Sequence, residues 1–280
     1  MTEARAHASS PSLLGLIARS LLSRSSPDRV QAARTWRRLW RYHSRALWSL
    51  TSRVCQNADL RRIESLAREM APVVQRDPAC AAKYADYAVW IPFNVNRVGA
   101  LGLHQSRSLR ILDIGCGPGY FMAAASACGH ECYGIDAPAA VMSAVEQRVY
   151  SELLAALSLR DRVSPLLIEP YKPMTLPLRD LDLITAFWIC FNRHEQPDEW
   201  SVAEWQFFVQ DAMTCLREGG VLHLELNSNL TRYHSLEWYD QATLEFFRSA
   251  GTVDRNVVRI SKGKPQGWQP SQKPVQARAG

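Results

Sequence analysis

The chain has 280 residues, of which 47% are hydrophobic, so it can bury a sizeable core and is not globally disordered. Its formal net charge of +6 is uneven, because residues 1–53 carry +8 and residues 261–280 carry +4, which leaves the part between them at −6. An acidic central part argues against a nucleic-acid substrate, since enzymes that act on nucleic acid usually concentrate positive charge around the active cleft.

The chain begins with a basic leader, residues 1–28, that contains the apolar segment 12–23. This segment is too short to span a bilayer and is interrupted by Arg19. Its apolar residues share a helical face, which permits contact with a membrane surface or with a partner protein; a loosely ordered leader is the alternative. The seven cysteines are dispersed without a CxxC pair, so we expect a cytoplasmic protein with no metal site.

Residues 29–103 are predicted to form an N-terminal helical region, because apolar residues recur there at helical spacing. A clear periodic run extends from Leu60 to Val73, and a further helix is expected to follow Pro92. The aromatic residues that precede the first strand, Tyr84 and Trp90 among them, are interpreted as packing residues.

From residue 109 the pattern changes to short apolar runs that alternate with helical stretches. The alternation predicts an α/β domain over residues 104–260, with a doubly wound, mainly parallel sheet and helices on both faces. Residues 170–180 contain three prolines and are predicted to be a loop, and the basic tail 261–280 is predicted to be disordered. The predicted strands are 109–114, 131–136, 163–169, 181–188, 221–226 and 252–260. A first helix is predicted after the first strand, ending near residue 127, and further helices are predicted at about 139–157, 198–217 and 236–250.

The most informative motif lies between the first predicted strand and the helix after it. Asp113 is followed by Gly115, Gly117 and Gly119, so three glycines stand at alternate positions. Glycine allows a sharp turn and the close approach of a ligand, and the following helix presents free N–H groups. Asp136 ends the next predicted strand, 23 residues after Asp113, where a carboxylate can accept hydrogen bonds from both hydroxyls of a ribose.

This motif resembles the first motif of the class I S-adenosylmethionine-dependent methyltransferases, acid-x-Gly-x-Gly-x-Gly. The resemblance implies a Rossmann-like fold, S-adenosylmethionine as the cofactor and methyl transfer to an acceptor. The family's turn before the fifth strand is also present, at residues 216–220. A dinucleotide site would instead place a small residue at the sixth position of the glycine fingerprint, where Tyr120 stands, so a nicotinamide-dependent oxidoreductase is the weaker alternative.

The resemblance also implies which residues contact the cofactor. The loop 113–119 would lie against its methionine part, Asp136 and its neighbour would bind the ribose, and the end of the third strand would lie near the adenine. The end of the fourth strand would face the methionine part or the substrate. The implied cofactor residues are Asp113, Gly115, Cys116, Gly117, Gly119, Asp136, Ala137, Ile168, Glu169 and Phe187.

Catalysis of methyl transfer requires alignment of the acceptor, together with removal of a proton from an oxygen or nitrogen acceptor. His194 is the candidate general base because imidazole titrates near neutral pH, and Asn192 could orient the acceptor. An exposed loop histidine is an equally good interpretation of His194. We expect the acceptor to be a small molecule or a saccharide; a non-catalytic scaffold that binds S-adenosylmethionine is the second alternative.

Two features depart from the family pattern. The connection between the third and fourth strands looks too short for a full crossover helix, and one strand is predicted after the last helix where the family has two. These departures concern the edges of the sheet.

Overall fold

The computed structural model describes residues 45–188, 200–227 and 239–263. The predicted leader and most of the predicted basic tail lie outside these described residues.

Within residues 45–109, three α-helices precede the sheet, with a 3-10 turn at Ala81–Ala85 between the second and the third. Asp59 caps the second helix, since its Oδ1 accepts a hydrogen bond from Arg62 N at 3.1 Å. The third helix was predicted to follow Pro92, but it begins at Tyr87 and includes that proline, because Ile91 and other residues around it are buried. The helices are α1 Arg45–Asn57, α2 Leu60–Arg76 and α3 Tyr87–Ala100.

The strands in the described ranges form one seven-stranded sheet in the order β3-β2-β1-β4-β5-β7-β6. Neighbouring strands are parallel except at β7, which is antiparallel to both β5 and β6. The mainly parallel, Rossmann-like α/β fold is therefore as predicted. The strands are β1 Arg110–Ile114, β2 Glu131–Asp136, β3 Val163–Pro165, β4 Leu181–Phe187, β5 Leu216–Glu225, β6 Thr252–Asp254 and β7 Val257–Ser261.

The segment predicted as one last strand, residues 252–260, instead forms a hairpin of two strands. Asp254 pairs with Val257, so Arg255 and Asn256 make a two-residue turn. Arg255 has a left-handed backbone with φ 56°, which is uncommon for residues other than glycine, asparagine and aspartate. An arginine at this position does not indicate a hairpin turn in the sequence. Asn256 supports the turn by donating a side-chain hydrogen bond to Leu226 O at 2.9 Å.

Strand β3 is shorter than predicted, ending at Pro165 instead of residue 169. Leu166 N still donates to Asp136 O at 2.8 Å, but Asp136 is the last residue of β2, so the following residues have no strand to pair with. Ile168 and Glu169 therefore do not end a strand. Residues 166–180, all of which the structure describes, contain no helix, as predicted for the proline-rich link.

The remaining helices differ from prediction at their ends. Helix α5 begins at Ala144 because Ser143 and Glu146 form a capping box, and residues 139–141 make a separate 3-10 turn. Helix α6 ends at Cys215, and Gly219 and Gly220 lie inside β5, where both bond to Lys262. The described helices of this part are α4 Tyr120–Ser126, α5 Ala144–Ala156, α6 Val202–Cys215 and α7 Gln241–Ala250.

Each face of the sheet buries its own core. On one face, side chains such as Ile111 pack against α1 to α5; on the other, side chains such as Leu112 pack against α6 and α7, around Trp205 and Phe247. Alternation along β1 thus supplies both cores. Among the described residues, no helix is long and apolar enough to cross a membrane.

Candidate functional site

The candidate site lies at the carboxyl ends of the parallel strands. Strand β1 pairs with β2 on one side and with β4 on the other, so the chain order reverses at β1. Open α/β sheets bind their ligands outside the strand ends at such a switch point. The glycine loop 115–119 follows β1 there, Asp136 ends β2, and Phe187 ends β4.

The glycine loop is shaped by positions that do not tolerate a larger residue. Gly119 is the N-cap of α4 and has φ 80°, and a Cβ on it would lie 2.8 Å from Leu159 Cδ1 and 2.9 Å from Leu154 Cδ2. Gly117 also has a positive φ, of 51°. Cys116 N donates to Ile135 O at 3.1 Å, which joins the loop to β2. The loop therefore passes close to the end of β2.

Asp136 presents a buried, unsatisfied acceptor beside this loop. Its Oδ1 accepts a hydrogen bond from Ala137 N at 2.8 Å, while its Oδ2 is buried without a hydrogen-bond partner in the part of the chain that the structure describes. Burial raises the pKa of this carboxyl, and the nearby backbone N–H groups of Ala137 and Gly117 oppose the rise. A buried acceptor of this kind is suited to a hydroxyl donor on a ligand.

A cavity of about 810 Å³ opens at Asp136. Gly117, Asp136 and Ala137 line it together with Tyr150 of α5 and Pro165 of β3. The volume and the mixed apolar and polar lining suit a nucleoside-sized ligand.

Ile168 and Glu169 do not line this cavity. Both come after the end of β3, and Glu169 pairs with Lys172 Nζ at 2.8 Å. Ile168 packs against the core formed with α6 and α7. These two residues were expected to lie near the adenine as the end of the third strand. That strand ends at Pro165 instead, and Val163 and Pro165 of it line the cavity.

Asp113 is buried and tied to the neighbouring strand. Thr185 Oγ1 donates a hydrogen bond to Asp113 Oδ1 at 2.7 Å. Burial raises the pKa of Asp113 to about 7, against the Thr185 hydrogen bond and the positive charge of Arg97, which lower it. Asp113, which the resemblance implied to contact the cofactor, is not among the residues that line the cavity, and its bond to Thr185 is that of an acid that holds the glycine loop in place.

Cys116 occupies the interior side of the loop. Its thiol is buried, and desolvation raises its pKa well above the usual range, which disfavours the thiolate. A Cβ on Gly134 of β2 would lie 2.6 Å from Cys116 Sγ, so the small residues at both positions allow the loop to pack on β2.

Arg97 of α3 stands over the end of β4 and was not recognised from the sequence. Its guanidinium lies 4.2 Å from the ring centroid of Phe187 and 4.6 Å from that of Trp188. Its Nε donates to Glu225 Oε2, at the end of β5, at 3.2 Å. An arginine as the one charged residue in the sequence of α3 was the signal that could have found it.

The aromatic residues before β1 pack within the helical region. The ring centroids of Tyr84 and Trp90 are 4.6 Å apart, and those of Tyr84 and Tyr150 of α5 are 5.8 Å apart. Tyr120, which disfavours a dinucleotide site, is buried and donates its hydroxyl hydrogen bond to Tyr84 O at 2.9 Å.

The two candidate catalytic residues, His194 and Asn192, lie outside the described residues. Within the described ranges, no group of three or more His, Cys, Asp or Glu side chains could hold a metal ion.

A family model described as "Methyltransferase domain" matches residues 112–224. Residues 112–224 therefore resemble a methyltransferase domain. This domain begins in β1 and extends into β5, and it contains the glycine loop, Asp136 and Phe187. The predicted kinship with S-adenosylmethionine-dependent methyltransferases agrees with the match. No curated protein matches the chain.

Solved structures resemble parts of the chain at low sequence identity. A Methanococcus maripaludis protein, a proposed S-adenosyl-L-methionine-dependent methyltransferase, is 15% identical over 71% of this chain and 93% of its own, with a TM-score of 0.39. CalS10, an amino pentose methyltransferase from Micromonospora echinaspora, is 20% identical over 51% of this chain and 53% of its own, with a TM-score of 0.36. Likenesses this weak carry no conclusion about the activity of this chain.

A third structure is a SAM-dependent methyltransferase from Thiobacillus denitrificans in complex with S-adenosyl-L-homocysteine. It is 16% identical over 47% of this chain and 46% of its own, with a TM-score of 0.31. This chain thus spans about half the length of the second and third of these proteins.

Proposed function

We propose that the chain is an S-adenosylmethionine-dependent methyltransferase that acts on an oxygen or nitrogen atom of a small molecule or saccharide. The observation that carries the proposal is the buried Asp136 Oδ2, which has no partner among the described residues and lies next to the glycine loop of a methyltransferase domain. A ribose hydroxyl would satisfy this acceptor, and the adjoining cavity of about 810 Å³ offers room for the attached base.

Different residues at the switch point would bind different parts of the cofactor. Asp136 and Ala137 would hold the ribose, and the glycine loop would approach the methionine part. When bound, S-adenosylmethionine supplies a methyl group that is already activated by its sulfonium. The protein would therefore align the acceptor atom with the methyl carbon and exclude water while the new bond forms and the carbon–sulfur bond breaks.

The acceptor atom must lose a proton when it is methylated, and His194 is our proposed general base. Its imidazole would take the proton from an acceptor hydroxyl or ammonium group near neutral pH. Asn192, two residues earlier, would orient the acceptor. Both residues follow β4, and the carboxyl end of that strand borders the glycine loop.

Charge supports the proposed acceptor class. The central part of the chain is net negative, whereas nucleic-acid enzymes concentrate positive charge at the cleft. The positive charge instead belongs to the two ends, and we propose that the basic leader contacts an anionic membrane surface or a partner protein. A cytoplasmic location is supported by the dispersed cysteines.

The test is turnover of S-adenosylmethionine with panels of hydroxylated, amino and saccharide acceptors. We expect S-adenosylhomocysteine to form with one class of acceptor, and Asp136→Asn to lose most of this activity. Asp254→Asn is the matched control, because Asp254 is an exposed carboxylate on the far edge strand β6. Binding of S-adenosylmethionine without turnover on any panel would support the scaffold alternative, and reduction of NAD would support the oxidoreductase.

A further inference from the structure

Trp188 presents an aromatic ring to solvent directly after the carboxyl end of β4. The residue is 37% exposed, and a single exposed aromatic ring is not unusual in itself. Its backbone is unusual, because a φ of 55° lies in the left-handed region, which is unfavourable for a bulky side chain. Backbone conformations of this kind are concentrated at functional sites. Trp188 is therefore a candidate for contact with a ligand.

The surrounding contacts hold Trp188 in this conformation. Its N–H donates to the carbonyl oxygen of Glu225 at 2.8 Å, which joins the ends of β4 and β5. The ring of Phe93 lies against the indole at a centroid distance of 5.3 Å, and the guanidinium of Arg97 lies 4.6 Å from the ring centroid. The indole is thus held in place from one side, and its exposed surface is available to a ligand.

Trp188 is also close to the place where a methyl group would be transferred. Phe187, the preceding residue, packs on Phe121 at a centroid distance of 4.7 Å. Phe121 lies in the first turn of α4, directly after the glycine loop. In the proposed function this loop approaches the methionine part of the cofactor, which carries the reactive methyl group. A ring stacked on Trp188 would therefore lie on the methionine side of the site, and not beside the ribose held by Asp136.

The charge of Arg97 determines which kind of ligand the indole prefers. A cation over one face of an aromatic ring draws electron density towards itself, so the other face attracts cations and the C–H groups of a saccharide less strongly. An electron-rich aromatic ring is a better partner for such a surface, and offset stacking of the two rings adds to the burial of apolar area. The effect is permanent, because a guanidinium does not lose its proton in proteins.

We propose that the methyl acceptor is an aromatic compound with a hydroxyl or amino group, whose ring stacks on Trp188. The inference rests on the proposed function and narrows its acceptor class, because either group makes a ring electron-rich and either can accept a methyl group. The acceptor oxygen or nitrogen forms a bond to the methyl carbon while the carbon–sulfur bond breaks. The electron pair of that bond stays on sulfur, and the acceptor proton passes to the proposed base.

The test compares 2-naphthol with decahydro-2-naphthol, which share a ring skeleton and a hydroxyl group but differ in aromaticity. Both are titrated by calorimetry into the protein saturated with S-adenosylhomocysteine. We expect the wild type to bind 2-naphthol more tightly, and Trp188→Leu to lower the ratio of the two affinities ~3- to 10-fold. Trp188→Phe keeps an aromatic ring and should keep most of the ratio. Tyr171→Leu is the matched control, because Tyr171 is an exposed aromatic residue with φ 57° that packs beside Phe207 of α6.

The ratio of the two affinities remains informative even if Trp188→Leu is partly unfolded, because loss of folded protein weakens both ligands equally. A ratio that Trp188→Leu leaves unchanged, or that Tyr171→Leu lowers as much, would overturn the inference while the proposed function stands. Tighter binding of methyl β-glucopyranoside than of 2-naphthol would also overturn it, as would a wild type that binds neither naphthol compound. Failure of the wild type to bind S-adenosylhomocysteine would overturn the proposed function as well.

Discussion

Thr185 Oγ1 of β4 donates a hydrogen bond to Asp113 Oδ1 of β1 at 2.7 Å, across the switch point of the sheet. Asp113 is 3% exposed and Thr185 is fully buried, so no water competes for this bond. The bond joins the ends of β1 and β4 directly before the glycine loop. The stability of the fold and the geometry of the candidate site are therefore coupled through one side-chain contact.

Removing the Thr185 hydroxyl should destabilise the protein. We expect Thr185→Val to lower the free energy of unfolding by ~1–3 kcal/mol, because Asp113 would lose a hydrogen bond inside the core. Thr185→Ser keeps the hydroxyl and should recover the greater part of this loss. Urea unfolding of both variants measures the difference, and equal stabilities would show that the bond does not matter.

The raised pKa of Asp113 predicts a pH dependence of stability. Because its folded pKa of about 7 lies above the ordinary aspartate value of 3.8, the folded state binds the proton more tightly than the unfolded state. The contribution of Asp113 is thus fully present below about pH 4 and is lost as the pH rises through about 7, at up to ~1.4 kcal/mol per pH unit.

Asp113→Asn should remove this dependence. As the pH rises from about 4 to about 7, the free energy of unfolding of the wild type should fall steadily relative to that of the variant. Thermal or urea unfolding across that range measures it. A difference that is constant with pH would contradict the raised pKa.

Gly134 should be intolerant of a methyl group for reasons of space. A Cβ there would lie 2.6 Å from both Cys116 Sγ and Met122 Sδ. We expect Gly134→Ala to lower stability by ~1–3 kcal/mol through overpacking, and to weaken ligand binding because the glycine loop is displaced. Adding Cys116→Ala should restore part of both, whereas independent, additive losses would contradict the predicted contact.

His194→Ala tests the proposed general base. With an identified acceptor, we expect kcat to fall by ~100-fold or more, while the affinity for S-adenosylmethionine stays the same. Asn192→Ala should mainly raise KM for the acceptor. If both variants keep turnover within a few-fold of the wild type, neither residue has the proposed role.

The parts of the fold that depend on local pattern were predictable from sequence. Strand β2 has the predicted bounds, Glu131–Asp136, because its apolar run is bordered by a helix stop and a polar end. Strand β3 was predicted too long, since its length is limited by the end of β2 and not by its own composition. The hairpin at Arg255 was missed because its turn lacks the usual glycine or asparagine at the residue with positive φ.

The candidate site was predictable where a motif specifies it. Asp136 and the glycine loop follow from residue types at fixed spacing, and the structure brings Asp136 and Gly117 of that loop together at one cavity. Arg97 could not be found in this way, because its position depends on how α3 packs over the ends of β4 and β5. Contacts between distant segments, such as that of Arg97 with Glu225, leave no spacing to recognise.

Calorimetric titration of S-adenosylmethionine tests the central claim most directly, with NAD as the competing ligand. We expect the wild type and Asp254→Asn to bind S-adenosylmethionine in the micromolar range, and Asp136→Asn to bind it at least ~10-fold more weakly, because its side chain no longer offers a charged acceptor. Binding of NAD in preference to S-adenosylmethionine, or of neither ligand, would contradict the assignment of this site.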